Sequence, residues 1–189
     1  MNDDKGRRPD GGLGLDKSEV RLSPHNPDWP ALGEGECAAV AALLHDIAEV
    51  VVHVGSTAVP GLEAKPILDI VAAVDDQVTI DDVVTRLCGD GTYAYDGDRR
   101  EDGGLLFVRG DGAVRSVHVH VVGKSSRAWL SYLQFHALLL DDAAARERYQ
   151  SAKRELARTF VGDRQGYTTA KSAVVEELLA NGRPPPHVG

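Results

Sequence analysis

The stretch that most constrains this chain is VVVHVGSTAVPGLEAKPILDIVAAV, Val50 to Val74. Two β-branched apolar runs flank a Gly-Ser turn and a Pro-Gly loop, which predicts strands over Val50–Val54 and Pro66–Val74 joined by a short connection. Side chains alternate along a strand, so Ile67, Asp69 and Val71 share one face while Leu68, Ile70 and Ala72 share the other. A carboxylate in such a run costs several kcal/mol unless something compensates it. Asp69 therefore faces a cleft where it holds a metal ion or a proton, or it receives a buried hydrogen bond or pairs with Lys65.

The rest of the chain frames that hairpin. Its 189 residues suit one domain with a real core. A net charge of −8 argues against a general binder of duplex DNA, which carries a basic footprint, but allows a small anionic ligand held by a local cluster. Cys37 and Cys88 lie in helix-like apolar stretches whose spacing fits no zinc pattern, so they read as free thiols. No apolar run is long enough for a membrane span and no signal core opens the chain, so a cytoplasmic protein is expected.

Residues 1–17 are rich in Gly, Asp and Arg and read as a disordered tail, with RPPPHVG as a loose C-terminal tail over 183–189. The domain is expected over 18–182. Asp28 and Pro30 open a helix to about His45 or Ala48. Thr79 and Asp82 cap another, which stops near Gly89 and Gly91. TYAYDG and GLLFVRG form a hairpin, and VRSVHVHVV alternates cleanly. Three helices follow, over about 126–140, 142–160 and 167–181, with Gly182 as the stop. This order predicts an α+β domain: one mixed β-sheet flanked by helices, with a helical C-terminal part.

The chemistry concentrates in three places. Gly55-Ser56-Thr57 follows a strand directly, where small residues and a hydroxyl suit a phosphate cradle. His118 and His120 share one strand face with Ser116 and Val122. If that strand lies beside Asp69, two imidazoles and a carboxylate form a metal site better suited to Zn²⁺, Mn²⁺ or Fe²⁺ than to Mg²⁺; otherwise they are hydrogen-bonded core histidines, or one is a general base. Tyr149 with Lys153, and Tyr167 with Lys171, each share a helix face. A dehydrogenase Tyr-Lys pair is rejected because no glycine-rich dinucleotide loop follows the first strand. Lys65, Lys124 and Arg127 are further candidate anion ligands. Trp129 and Phe135 read as core.

The strand, Gly-Ser and Asp-strand arrangement resembles the nucleotidyltransferase superfamily. HVGSTAVPGLEAKPILDI resembles more closely the signature of the GrpB family within it, at His53, Gly55, Ser56, Thr57, Val59, Pro60, Gly61, Lys65, Pro66 and Asp69. NPDWP, VHVHVVGKSSRAWL, RYQSAKRELA and GYTTAKSAVVEELL extend the likeness over roughly 22–179. The resemblance implies a nucleotidyltransferase-like fold, with Gly55, Ser56, Thr57, Lys65, Lys153 and Lys171 binding a nucleotide. It further implies a divalent metal (Mg²⁺, Mn²⁺ or Zn²⁺) on Asp69, with His118 and His120 as ligands or catalytic groups. The expected reaction moves a nucleotidyl group from an NTP to a small molecule. The second carboxylate of such enzymes belongs at Val71, which cannot bind metal, and Asp75 and Asp76 lie beyond the strand. Two further readings therefore stand: a non-catalytic nucleotide- or metabolite-binding module, since GrpB-like domains also occur fused to dephospho-CoA kinases, and a different metal-dependent enzyme using Asp69, His118 and His120. Departures from the family pattern fall at His136 and Ala137, where relatives carry Arg-Asp, and in the hairpin, where Arg99 and Arg100 come before the usual arginine position.

Overall fold

A computed structural model describes residues 11–99 and 103–181. The elements follow as β1 (Leu15–Asp16), α1 (Trp29–Leu43), β2 (Ala48–Val54), a 3-10 turn (Ser56–Ala58), β3 (Leu68–Val74), α2 (Ile80–Cys88), β4 (Ala94–Arg99), β5 (Gly104–Asp111), β6 (Val114–Gly123), α3 (Arg127–Asp141), α4 (Ala143–Thr159) and α5 (Arg164–Asn181). The sheet runs β2-β3-β6-β5-β4, with β1 added beside β6. Among the described residues only β3 and β6 pair in parallel, as their intervening crossover allows; the other pairings are antiparallel. The expected α+β fold with a mixed sheet and a helical C-terminal part is the one observed.

The alternation read from the sequence decides the two faces. Leu68, Ile70 and Ala72 of β3 and Val117, Val119 and Val121 of β6 pack with Trp29, Val40 and Leu44 of the α1 region and Val83 and Leu87 of α2. That face is a closed apolar layer. The opposite face carries Val54, Val71 and Val122, which α3 covers through Ala128, with Trp129 and Tyr132 packed alongside. A third cluster joins Val59 and Leu62 to Leu139, Tyr149 and Leu178, fixing the C-terminal helices to the loop after β2. The helices therefore stand over the second face without covering all of it.

Local signals account for the helix starts. Thr79 and Asp82 form the full reciprocal capping box. Ser126 accepts from the Trp129 N–H and Asp142 from Ala144 and Ala145. Asp28 precedes α1 as expected but gives no side-chain cap; Asn26 instead accepts from its backbone N–H. The last helix begins at Arg164, before the expected Tyr167, because Asp163 holds its first turn through Gly166.

The N-terminal tail expected over 1–17 is corrected in its described part. Leu15 is only 2% exposed, and Leu15–Asp16 pairs with Val114 and Arg115 of β6. The Gly14 N–H donates to Pro66 O, and Gly11 O accepts from both Asn26 and the Trp29 indole. The composition misled because backbone hydrogen bonds and two leucines hold this segment, and neither needs a long apolar run. The first ten residues, the 183–189 tail, Gly182 and Arg100 lie outside the described residues. No helix among the described residues is long and apolar enough to cross a membrane.

Leu15→Ala should lower stability by about 2–5 kcal/mol, the usual cost of emptying a buried leucine site. Urea unfolding followed by circular dichroism checks it, and an unchanged midpoint would return this segment to the status of a tail.

Candidate functional site

The parallel register of β3 and β6 sets Asp69 directly opposite His118. Side chains at 69, 118 and 120 then rise from the same face, and one ligand atom from each lies within 4.8 Å of the others. The closest approach is His118 Nδ1 to Asp69 Oδ1, at 3.3 Å, with His120 Nε2 at 3.9 Å from the same oxygen. His118 Nε2 has no hydrogen-bond partner among the described residues. The strand adjacency on which the His-x-His metal reading depends is thus present.

Tyr132 of α3 fixes how His120 presents itself. The Tyr132 hydroxyl lies 3.0 Å from His120 Nδ1 and 3.3 Å from Gly103 O. A carbonyl can only accept, so the single phenolic hydrogen goes to Gly103 O, and His120 Nδ1–H donates to the phenol oxygen. Nε2 is left to meet Asp69 with a proton or a metal ion between them. Burial alone would push the Asp69 carboxyl up, but His118, His120 and Lys171 outweigh it and hold the group well below the usual carboxylate range. Burial pulls His118 down against the opposing pull of Asp69.

Two imidazoles and one carboxylate are a donor set for Zn²⁺, Mn²⁺ or Fe²⁺. They fit Mg²⁺ poorly, since it prefers oxygen ligands. Val71, at the place of a second carboxylate, is 0% exposed in the core. Asp75 pairs with Lys124, and Asp76 accepts from the Ser125 N–H, so neither completes the site.

The Gly-Ser turn closes on Asp69 from the side. Gly55 has φ of 75°, and a Cβ there would lie 2.9 Å from Asp69 Oδ2. Both facts require glycine. Ser56 Oγ accepts from Lys153 Nζ at 3.0 Å. Thr57 Oγ1 lies 2.9 Å from His53 Nε2. His53 is pulled to about 4 by burial and, less strongly, by His136. A Cβ at Gly33 would strike the His53 ring, so α1 needs its glycine there. The departure at His136 thus brings a second imidazole near His53, and Ala137 is exposed.

These groups line one cleft of about 680 Å³ between the sheet and the C-terminal helices. Seven cationic side chains (Lys17, Lys65, Arg99, Arg115, Lys153, Arg164 and Lys171) face two carboxylates, Asp69 and Asp96. Lys65 lies 4.3 Å over the Tyr167 ring, and burial, with Lys171, pulls it to about 7. Tyr149, opposed by burial and aided by Asp69, keeps Lys171 above the ordinary lysine value. Lys153 reaches the cleft wall but is 2% exposed, with its ammonium given to Ser56 Oγ and Glu63 O. It braces the turn more than it offers a free charge. Lys124 bridges Glu49 and Asp75, and Arg127 is exposed at the start of α3; neither lines the cleft. Trp129 and Phe135 pack in the helical layers as expected.

Sequence reasoning missed Tyr132, Asp96, Arg115 and Arg164. Arg115 lies near the start of the strand that carries both histidines, and Arg164 is the first residue of the last helix. Those were available signals, but only the folded sheet aims them inward.

The family model described as GrpB protein matches residues 19–181. The chain belongs to the GrpB family. It is 26% identical over 170 residues to the glutamate-rich protein GrpB of Alkalihalophilus pseudofirmus, covering 88% of this chain and 98% of that one. A UPF0157 protein of Halalkalibacterium halodurans is 31% identical over 169 residues, covering 89% of this chain and 85% of its own. The crystal structure of conserved protein GrpB from Enterococcus faecalis superposes with a TM-score of 0.71 at 25% identity, covering 85% of this chain and 98% of that one. Membership accounts for the motif from His53 to Asp69.

Gly55→Ala should cost about 1–3 kcal/mol through its backbone conformation and displace Asp69 as well. Thermal melting reads the first effect. Cobalt(II) titration, followed by visible absorbance, reads the second. A variant that melts and binds cobalt like the parent chain would refute the close-approach argument.

Proposed function

We propose that the cleft serves a metal-dependent transfer of a nucleotidyl group from an NTP to a small-molecule acceptor, with no role for duplex nucleic acid or a membrane. The observation that carries this reading is the Asp69–His118–His120 cluster, open to a cleft whose walls are cationic although the whole chain is acidic. A divalent transition metal, when bound to those three side chains, supplies a Lewis acid for a phosphoryl oxygen.

The chain's own residues divide the remaining work. Lys153 donates to Ser56 Oγ, which leaves the Ser56 hydrogen free to point at a phosphate oxygen. Gly55 lets backbone come close to the same group. Lys171 remains an ammonium and offsets phosphate charge beside Asp69. Lys65, held near 7, takes or gives a proton in the neutral range and so suits removal of the acceptor's hydroxyl proton. One observation favours the alternative of a nucleotide-binding module without turnover: Val71 fills the second carboxylate position from within the core.

Asp69→Asn should abolish high-affinity binding of Zn²⁺ or Mn²⁺ in calorimetric titration while leaving the far-UV spectrum unchanged. Retained metal affinity with reduced stability would make Asp69 a structural residue and end the metal reading. Turnover by the parent chain across hydroxyl and amine acceptors, followed by pyrophosphate release, separates transferase from binding module.

The lowered Lys65 value gives a pH test. Lys65 is charged below about 7 and neutral above it, so affinity for a phosphate ligand should fall as pH rises from 6 to 8.5. Lys65→Met should make that profile shallower, the remaining slope belonging to Lys153, which burial also pulls to about 7. A profile equally steep in the variant would assign the dependence to another group.

A further inference from the structure

Beside the Asp69 cluster, two guanidinium groups bind one carboxylate and a third lines the same cleft. Arg115 makes two hydrogen bonds to Asp96, at 2.7 and 3.0 Å, and Arg99 reaches the same carboxylate at 3.4 Å. Arg164, half-buried at the first turn of α5, donates to Lys17 O. That carbonyl is in place because β1 ties the segment before it to β6 and the Lys17 N–H donates to Ala113 O. All three arginines line the cleft. Burial, and after it the neighbouring Arg115 charge, works against the Arg164 charge; Arg164 in turn disfavours protonation of Lys65 and His118. The arginines and the Asp69 cluster are therefore near enough to act on one ligand.

The arrangement is costly as it stands. Like charges are gathered in a partly enclosed space with one carboxylate between them. The chain as a whole has 21 basic and 29 acidic residues, so composition does not force this concentration. A planar guanidinium presents paired N–H groups that match phosphate oxygens, and Asp96 occupies one such pair on Arg115. Its remaining N–H groups, with those of Arg99 and Arg164, are the donors on this side of the cleft.

We propose that Arg99, Arg115 and Arg164 form a second anion subsite that grips the terminal phosphates of a ligand carrying at least two linked phosphate groups, with Asp96 as the strut that holds two of the arginines apart. This rests on the reading of the cleft as a phosphate site and adds which end of the ligand lies where. The reacting phosphate sits over Asp69, His118 and His120. The outer phosphates lie toward the β4–β5 hairpin and the start of α5. Single phosphates lose the outer contacts, so the subsite selects polyphosphates.

Calorimetric titration of the full chain with sodium tripolyphosphate in EDTA tests this without any divalent metal. Arg164→Gln and Arg99→Gln should each weaken tripolyphosphate binding about tenfold, and Arg164→Lys, which keeps charge but not the planar fork, should fall between. Arg158→Gln, outside the cleft, should change nothing. Melting curves establish that each variant is folded, and Arg99, on the exposed side, gives the result if Arg164→Gln does not fold. Unchanged affinity in the folded arginine variants overturns the subsite, as does a parent chain that binds no tripolyphosphate. Arginine-dependent binding in a chain that takes up no metal at Asp69 upholds the subsite and overturns the transferase reading.

Discussion

The parallel pairing of β3 with β6 is the contact on which the rest depends. Its register puts Asp69 opposite His118, and the pleat then sends 69, 118 and 120 to one side. A one-residue slip would turn either the carboxylate of β3 or both imidazoles of β6 into the apolar layer under α1 and α2. The same register buries Leu68, Ile70, Val117 and Val119. Hydrophobic burial thus fixes the geometry of the polar cluster. The energy for holding three ionisable groups together comes from the opposite face of the same strands.

The cleft is an exception to the electrostatics of the chain. An acidic surface surrounds a basic interior wall, and the acids that do enter are few and already engaged. Focused positive potential of this kind attracts small anions. Support behind the lining is equally specific. Lys153 braces Ser56, His53 lies against Thr57, and Tyr132 sets the orientation of His120. Each second residue comes from a different element, so the site depends on how the helices dock.

Several features were legible in the residues alone. Alternation in VRSVHVHVV placed both histidines on one face, and the run around Asp69 put the carboxylate on a face away from Ile70. The Thr79–Asp82 box marked a helix start that the structure reproduces. The N-terminal segment was not legible, since Gly11 to Lys17 is held by backbone hydrogen bonds to Pro66 and Ala113 and by packing of Leu15. Backbone pairing leaves no compositional mark. Lys153 read as a free charge because a helix surface pattern cannot reveal that Glu63 O and Ser56 Oγ wait at its tip.

The sequence by itself determined most of the elements, the faces of the strands and the side chains of the candidate Asp69–His118–His120 cluster. Those follow from local periodicity and from side-chain chemistry, which need no knowledge of neighbours. It also determined family membership through the His53 to Asp69 motif. The tertiary structure alone decided which strand lies beside Asp69, that Val71 belongs to the core, and that Arg99, Arg115 and Arg164 line one cleft. These are relations between residues far apart in the chain, set by strand order and helix docking. A one-dimensional pattern carries the charges of those arginines but not the fold that turns them toward one cleft.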